Sequence, residues 1–531
     1  MSLVRRAFRL AIASRQPGAL PADELLDQWQ EQQNRRHFLR SAGQLGLAVG
    51  GLSLLNACRP ETLVEPEPPA GARHSSARKP GGASVAIIGG GIAGLVAAHT
   101  FAKSGFDNFT IYEGSTRTGG RIYTGRNLMA PGLTTELGGE FIDSIHKDML
   151  RLAREFDLRL LDTQDPSETA LIKDAYFFNG QHFSLAQVVE AFRQIAPKMQ
   201  EDIDSLPDSI DYRTGGAASL FDRLSISEYL TRLGATGWLK TLLEVAYETE
   251  YGLSPQEQSS INLLFLISTD TKKGQFDIFG VSDERYKIAG GNQQITDALT
   301  ELYQSHIETS RVLKAIKPYN GGVELLFENA PAVRADYALL TLPFTKLRQV
   351  DIQVPLSAVK RQSIQQLGYG TNAKLMIGVS QRQWRTLGYS GYVFSDNGVQ
   401  SGWDNSQLQP GTAGGFTVYL GGRRGQEVGN GAVQAQVQQY LPLLNQIFPG
   451  TQARANGNNA RFHWPTHPFT LGSYACYKVG QWTSIGGAEG ETAGRLFFAG
   501  EHCSADYQGY MNGGAETGRK AAVEMLKAVL A

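Results

Sequence analysis

The clearest patterning begins at Val85-Ala-Ile-Ile88, four consecutive apolar positions that predict a short strand covered on both faces. Gly89-Gly90-Gly91 follows as a turn, and Ile92-Ala93-Gly94 opens a stretch that predicts a helix. A second apolar run, Phe109-Thr-Ile-Tyr112, ends in the acid Glu113. Further on, Ile145, Met149, Leu152 and Phe156 recur at helical spacing and predict a helix over 145–156. Ala175 to Phe183 places Asn179-Gly180 between apolar runs, the signature of a hairpin turn. Residues 184–265 read as largely helical. A second hairpin is predicted where Arg311–Ile316 and Gly322–Phe327 flank Asn320-Gly321, and short apolar strands follow at Tyr337–Leu342 and Arg495–Ala499.

Strand, glycine turn, helix and an acid nineteen positions beyond Gly94 form one unit. A dinucleotide needs those parts: glycines admit the pyrophosphate, the helix N-terminus faces its charge, and the acid on the next strand meets the adenosine ribose. Downstream, Arg117-Thr-Gly119-Gly120-Arg121 supplies a second glycine pair and an arginine for which a nicotinamide-only unit has no need. Near the C-terminus, Arg495-Leu-Phe-Phe-Ala-Gly500-Glu501 adds a buried strand ending in glycine and an acid.

In that order the three segments resemble the flavin-containing amine oxidase family, which includes monoamine oxidases, polyamine oxidases and L-amino-acid oxidases. The resemblance covers residues 83–531 and implies an α/β protein. A Rossmann-like FAD-binding domain of the glutathione-reductase type would be interleaved with an α+β substrate-binding domain. The expected division gives 83–158, 284–345 and 462–531 to the FAD-binding domain, and 159–283 and 346–461 to the substrate-binding domain.

Composition agrees with a large enzyme and excludes other classes. A chain of 531 residues exceeds one typical domain, and its sixty glycines imply many tight turns. A formal net charge of -1, with no basic tract interleaved with aromatics, offers no field for nucleic acid. Cys58, Cys476 and Cys503 make neither a metal spacing nor a disulfide framework, so no metal is expected.

The resemblance assigns the site residue by residue. FAD would be held by Gly89, Gly91, Ile92, Ala93, Gly94, Glu113, Gly119, Gly120 and Arg121. It would also meet Gly138, Gly139, Glu140 and Phe141, the backbone around Leu313, Trp464, Gly500, Glu501, Gly509, Tyr510 and Met511. Lys374, in Gly370-Thr-Asn-Ala-Lys374 with Trp384 ten residues on, resembles the lysine that holds a water against the flavin and favours electron transfer to oxygen. Tyr474 and Tyr510 stand where monoamine oxidases have two tyrosines forming parallel walls that guide the amine. Ser473 replaces the cysteine that bonds covalently to flavin in those enzymes, so the FAD is expected to be non-covalent. Glu140 stands where L-amino-acid oxidases carry an arginine for the substrate carboxylate, which suits a cationic substrate or a helix-capping or cofactor-bonding role equally.

Before residue 83 the chain carries different signals. Asn34-Arg35-Arg36-His37-Phe38-Leu39-Arg40, followed by the apolar stretch Leu45–Leu55, resembles a twin-arginine export signal and is too short to span a membrane. Leu55-Asn-Ala-Cys58 resembles a lipoprotein processing box, making Cys58 a candidate lipid anchor, and residues 59–82 read as a proline-rich flexible tether. The expectation is therefore an exported bacterial flavoenzyme, periplasmic or membrane-anchored. It would oxidise a small-molecule amine or L-amino acid, pass the electrons to oxygen or another acceptor, and release ammonia with an aldehyde or keto acid. An oxidase for basic L-amino acids, a flavin desaturase or dehydrogenase of a lipid-like or tetrapyrrole substrate, and a non-catalytic flavin-binding lipoprotein stand as alternatives. Oligomeric state is not legible.

Overall fold

The computed structural model describes residues 82–530. The expected arginine-pair signal, Cys58 and all but the last residue of the 59–82 tether lie outside the described residues.

Val85–Ile88 is the middle strand of a parallel sheet with the order Leu496–Phe498, Tyr337–Leu340, Val85–Ile88, Phe109–Tyr112, Ile307–Glu308. All four of its residues are buried because each sheet face is covered. Val85 and Ile87 share a core with the helices Ile92–Lys103, Gln293–Leu302 and Met511–Leu530. Ala86 and Ile88 join Leu313, Ile316, Val323 and Leu325, which belong to a four-stranded sheet packed on the opposite face. Alternation along one strand thus serves two cores. The helix Met511–Leu530 approaches Ile92–Lys103 at a glycine, since a Cβ on Gly518 would lie 2.1 Å from the carbonyl oxygen of Ala93.

A second sheet has seven strands, ordered Ala455–His463, Ala373–Val379, Gly414–Leu420, Gln400–Asp404, Tyr389–Ser395, Ile172–Phe178, Gln181–Phe183. Every residue of Ala373–Val379 is buried, and the helix Val433–Ile447 covers this sheet through a core that includes Trp384, Phe416 and Phe448. Both predicted hairpins form. Asn179 and Gly180 have φ of 52° and 76°, and Asn320 and Gly321 have 39° and 82°, the left-handed pair that a two-residue hairpin turn requires. The helix Lys147–Glu155 falls within 145–156, and helices occupy much of Leu185–Leu266.

The chain stays with the first sheet longer than the 345/346 boundary implies. Asp351–Ile352 pairs with Ala315 and Ile316, and Val354, Ile364, Leu367 and Tyr369 lie in the core of Ala86 and Ile88. That passage still covers the first sheet's face, so the crossing to the second sheet follows Tyr369. Phe462 and His463 pair with Lys374 and Ala373, so the strand Ala455–His463 runs past the expected return at 462. Among the described residues no helix is long and apolar enough to cross a membrane.

Candidate active site

One cavity of about 790 Å³ has the glycine loop among its walls at one end and the paired tyrosines at the other. Gly89, Gly91, Ile92 and Ala93 line it, but Gly94 does not. Gly94 acts from behind: a Cβ there would stand 2.0 Å from the carbonyl oxygen of Gly89, so its missing side chain lets the helix start against the loop. Gly91 caps that helix with no side-chain bond, and its first turn carries no acid, which leaves the N-terminus to face an anion. Gly119 donates its N–H to the Gly90 carbonyl at 2.8 Å, and a Cβ on Gly120 would lie 3.2 Å from the Gly91 Cα. Two glycine segments therefore meet backbone to backbone.

Glu113 also lines this end, accepting the N–H groups of Gly90 and Ser115, each at 2.7 Å. Each carboxylate oxygen keeps a lone pair for a hydroxyl. Arg311 donates its N–H to the Glu113 carbonyl, which brings Val312 and Leu313 to the same wall. A side-chain-free surface, an uncapped helix N-terminus and an acid beside them fit a dinucleotide.

Midway, the expected residues hold one another. Arg121 pairs with Glu501 at 2.8 Å and donates to the Ser473 carbonyl at 2.7 Å, while Glu501 accepts the Gly509 N–H at 2.9 Å. Gly138 and Gly139 leave room for neighbours, because a Cβ would lie 1.8 Å from the Arg121 carbonyl oxygen in the first case and 2.6 Å from Met511 Cγ in the second. Trp464 donates its indole N–H to the Leu137 carbonyl at 3.0 Å. Gly500 and Phe141 complete this part of the lining.

Lys374 is buried near the start of Ala373–Val379, one strand in from the edge of the second sheet, and lines the cavity. It donates to Glu140 Oε2 at 2.8 Å and to the carbonyls of Glu136 and Gly138 at 2.9 Å each. An ammonium has three donors, and all three are engaged. A water held by Lys374, as the resemblance implies, would have to displace one of these acceptors. The indole of Trp403 and the ring of Tyr419 lie 5.3 and 6.0 Å from the nitrogen. Lys287 approaches the other oxygen of Glu140 at 3.5 Å. Glu140 therefore serves a lysine pair and not a helix cap. Nearby, burial pushes Glu136 up to about 7, against the hydrogen bonds from Asn292 and Thr124.

Tyr474 and Tyr510 both line the far end, where Tyr251, Phe279, Tyr392, Trp403 and Tyr419 add aromatic surface. Three acids lie among them: Asp143, Glu250 and Glu284. The Tyr510 hydroxyl donates to Glu250 Oε1 at 2.9 Å, and the Tyr474 hydroxyl donates to the Glu250 main-chain carbonyl. Burial pushes Glu250 up to about 7, opposed by the Tyr510 bond, and raises Glu284 well above the usual carboxylate range with the help of Glu250 and Asp143. Burial also takes Asp143 to about 6 and holds His146 down at about 3. Their 3.4 Å contact thus joins a neutral imidazole to a carboxyl, and the imidazole backs Tyr510 with ring centroids 5.1 Å apart.

The sequence reading missed these acids and the aromatic residues of the second sheet. Glu250 sits at the end of an amphipathic helix, where one more acid is an ordinary surface residue by pattern. Trp384, which entered only as the companion of Lys374 in the resemblance, has a packing role. It donates to Asp404 at 3.0 Å inside the second-sheet core and does not line the cavity, so its spacing from Lys374 reflects packing. Cys476 and Cys503 are free thiols.

Comparison with known proteins agrees with this geometry. A solved cyclohexylamine oxidase from Brevibacterium oxydans superposes with a TM-score of 0.74 at 20% identity, covering 85% of this chain and 100% of that one. A putrescine oxidase bound to putrescine gives 0.72 at 17% identity, covering 84% and 99%. A flavin-containing amine oxidase from Danio rerio is 24% identical over 84% of this chain and 86% of its own length. A nicotine dehydrogenase from Pseudomonas putida is 24% identical over 93% and 97%. The family model described as flavin containing amine oxidoreductase matches residues 92–526, so the chain belongs to that family and is an FAD-dependent amine oxidoreductase.

Proposed function

We propose that the chain oxidatively deaminates a small cationic amine, with a second positive charge favoured over a carboxylate. One observation carries the reading: the aromatic end of the cavity holds Asp143, Glu250 and Glu284, while the lysine there is already paired with Glu140. Glu284 and the second oxygen of Glu250 accept no hydrogen bond from a described residue, so both have capacity for an ammonium. Of the other cations in the wall, Arg121 pairs with Glu501, Arg311 with Glu308 and Lys314 with Glu328, while Arg117 donates to the Thr118 and Gly120 carbonyls and Lys346 to Gln349. An amino-acid carboxylate would have to win one of them from its partner, which counts against the L-amino-acid alternatives.

In this reading the glycine loop and the helix at Gly91 hold the FAD pyrophosphate, Glu113 its ribose, and Arg121 with Glu501 shapes the wall between the two ends. FAD supplies a hydride acceptor for the carbon bearing the amine and passes the electrons to oxygen as hydrogen peroxide. Tyr474 and Tyr510 exclude water and attract the arriving cation through their ring faces. The ammonium entering from bulk water gives its proton to a carboxylate of this cluster, where burial holds Glu250 at about 7, so that the neutral amine loses the hydride. Water then adds to the resulting imine and yields a carbonyl compound and ammonia.

An anaerobic titration tests this directly. Putrescine is expected to bleach the flavin at lower concentration than cyclohexylamine, with L-arginine leaving the colour unchanged. Bleaching by L-arginine alone would transfer the assignment to an amino-acid oxidase, and no bleaching by any amine would remove the amine reading. Peroxide measured on readmitting air identifies oxygen as the acceptor.

Ser473 supports a non-covalent cofactor. Its hydroxyl donates to Asn372 at 2.6 Å and cannot form a thioether. Acid precipitation of the holoenzyme is expected to leave yellow FAD in the supernatant, and flavin fluorescence on a denaturing gel would contradict it.

A further inference from the structure

Two residues expected to form one cage come from distant segments, Tyr474 from a loop beside the second sheet and Tyr510 from the turn before the last helix. Something must fix their relative position. We infer that Glu250 is the positioning residue for the pair, holding both rings from one helix end and so setting the width of the passage between them. The inference rests on the amine reading above.

Glu250 uses two different groups for the two rings. Its side chain accepts from Tyr510 at 2.9 Å, and its main-chain carbonyl accepts from Tyr474, whose oxygen also lies 2.9 Å from the Tyr419 hydroxyl. Such an anchor works only if it is itself fixed, and here both flanks are. Glu250 is the penultimate residue of the helix Gly237–Tyr251, which stops at Gly252 with φ of 77°. A Cβ on Gly252 would lie 1.9 Å from Asn372 Oδ1, and the Gly252 carbonyl accepts both the N–H and the hydroxyl of Thr371 at 2.8 Å. On the other side, the Thr249 carbonyl accepts from the Asn372 side chain at 2.6 Å. Asn372 in turn accepts from Ser473, next to Tyr474. The helix end is thereby pinned to the lead-in of the strand that carries Lys374, and Glu250 passes that registration to the tyrosines.

A double-mutant cycle tests the assignment on the FAD-loaded enzyme, reading the limiting rate of flavin reduction by an amine that bleaches the wild type. Glu250→Ala and Tyr510→Phe are each expected to slow reduction, roughly ten- to a hundredfold given the strength of a hydrogen bond to a carboxylate. Combined, they should be no slower than the worse single variant. Glu250→Gln, whose amide oxygen still accepts from Tyr510 but whose charge is lost, should keep the Tyr510 ring in place while raising the amine concentration needed for half-maximal reduction. A crystal structure of Glu250→Ala should show the Tyr510 ring displaced, a readout independent of turnover. Multiplying losses, a normal Tyr510→Phe, or an unmoved ring would each overturn the inference while leaving the amine reading intact. Where Glu250→Ala does not fold, Tyr510→Phe alone decides, because full activity there removes any need for the bond. If no amine reduces the wild type, the function itself falls and the cage with it.

Discussion

Replacing Lys374 with Met is expected to slow reoxidation of the reduced enzyme by oxygen about a hundredfold, while slowing reduction by the amine much less. A fixed positive charge at the site of oxygen reduction stabilises the superoxide that forms there, and Met keeps the length of the stem but not the charge. The structure adds a second consequence. Lys374 is the nearer of two lysines on Glu140, at 2.8 Å against 3.5 Å for Lys287, and Glu140 is 5% exposed. Removing one partner of a buried pair costs about 3–5 kcal/mol, because the remaining charge stays out of water. Thermal unfolding should therefore shift downward, and the double variant Lys374→Met with Glu140→Gln should recover much of that loss without recovering the oxygen reaction. Stopped-flow measurement of both half-reactions separates the effects. Equal slowing of the two would remove Lys374 from oxygen chemistry and leave it a structural partner of Glu140.

The second large effect is expected at Gly94. In Gly94→Ala the new methyl would stand 2.0 Å from the Gly89 carbonyl oxygen and 3.1 Å from Ile87 Cγ2. The first contact is with backbone, so no rotamer change relieves it, and the loop itself must move. Overpacking of this kind costs about 1–3 kcal/mol, and where the strain falls on the bound conformation it weakens FAD roughly ten- to a hundredfold. The variant should fold and purify pale, and excess FAD should restore the colour. Stoichiometric FAD after dialysis would show that the loop absorbs the methyl.

Most of the framework was legible because it is local. Val85–Ile88, the glycine loop, Glu113 and the two Asn-Gly hairpins each declare themselves within ten residues or so of chain. The carboxylates at the aromatic end did not. Glu250, Glu284 and Asp143 converge only through folding, and nothing in a helix or loop pattern distinguishes an acid facing a cavity from one facing solvent. Tyr392, Trp403 and Tyr419 hid for a related reason: on strands buried along most of their length, the cavity-facing positions show no alternation. Gly94 shows the opposite limit, since the motif placed it in the site although it does not line the cavity.

The parallel sheet has a consequence for how the molecule comes into being. Val85–Ile88 takes Tyr337–Leu340 as one neighbour, and that strand in turn takes Leu496–Phe498, so the sheet closes only when segments some 250 and 160 residues apart have met. Pairings across such separations form late, after the loop entropy between them has been overcome. The glycine loop is made before most of the chain that follows it, and Glu501, the partner of Arg121, comes 380 residues after that arginine. Synthesis must therefore have passed residue 501 before the cofactor has a closed site to enter, and a chain truncated ahead of residue 496 would carry the dinucleotide motif without the means to close it.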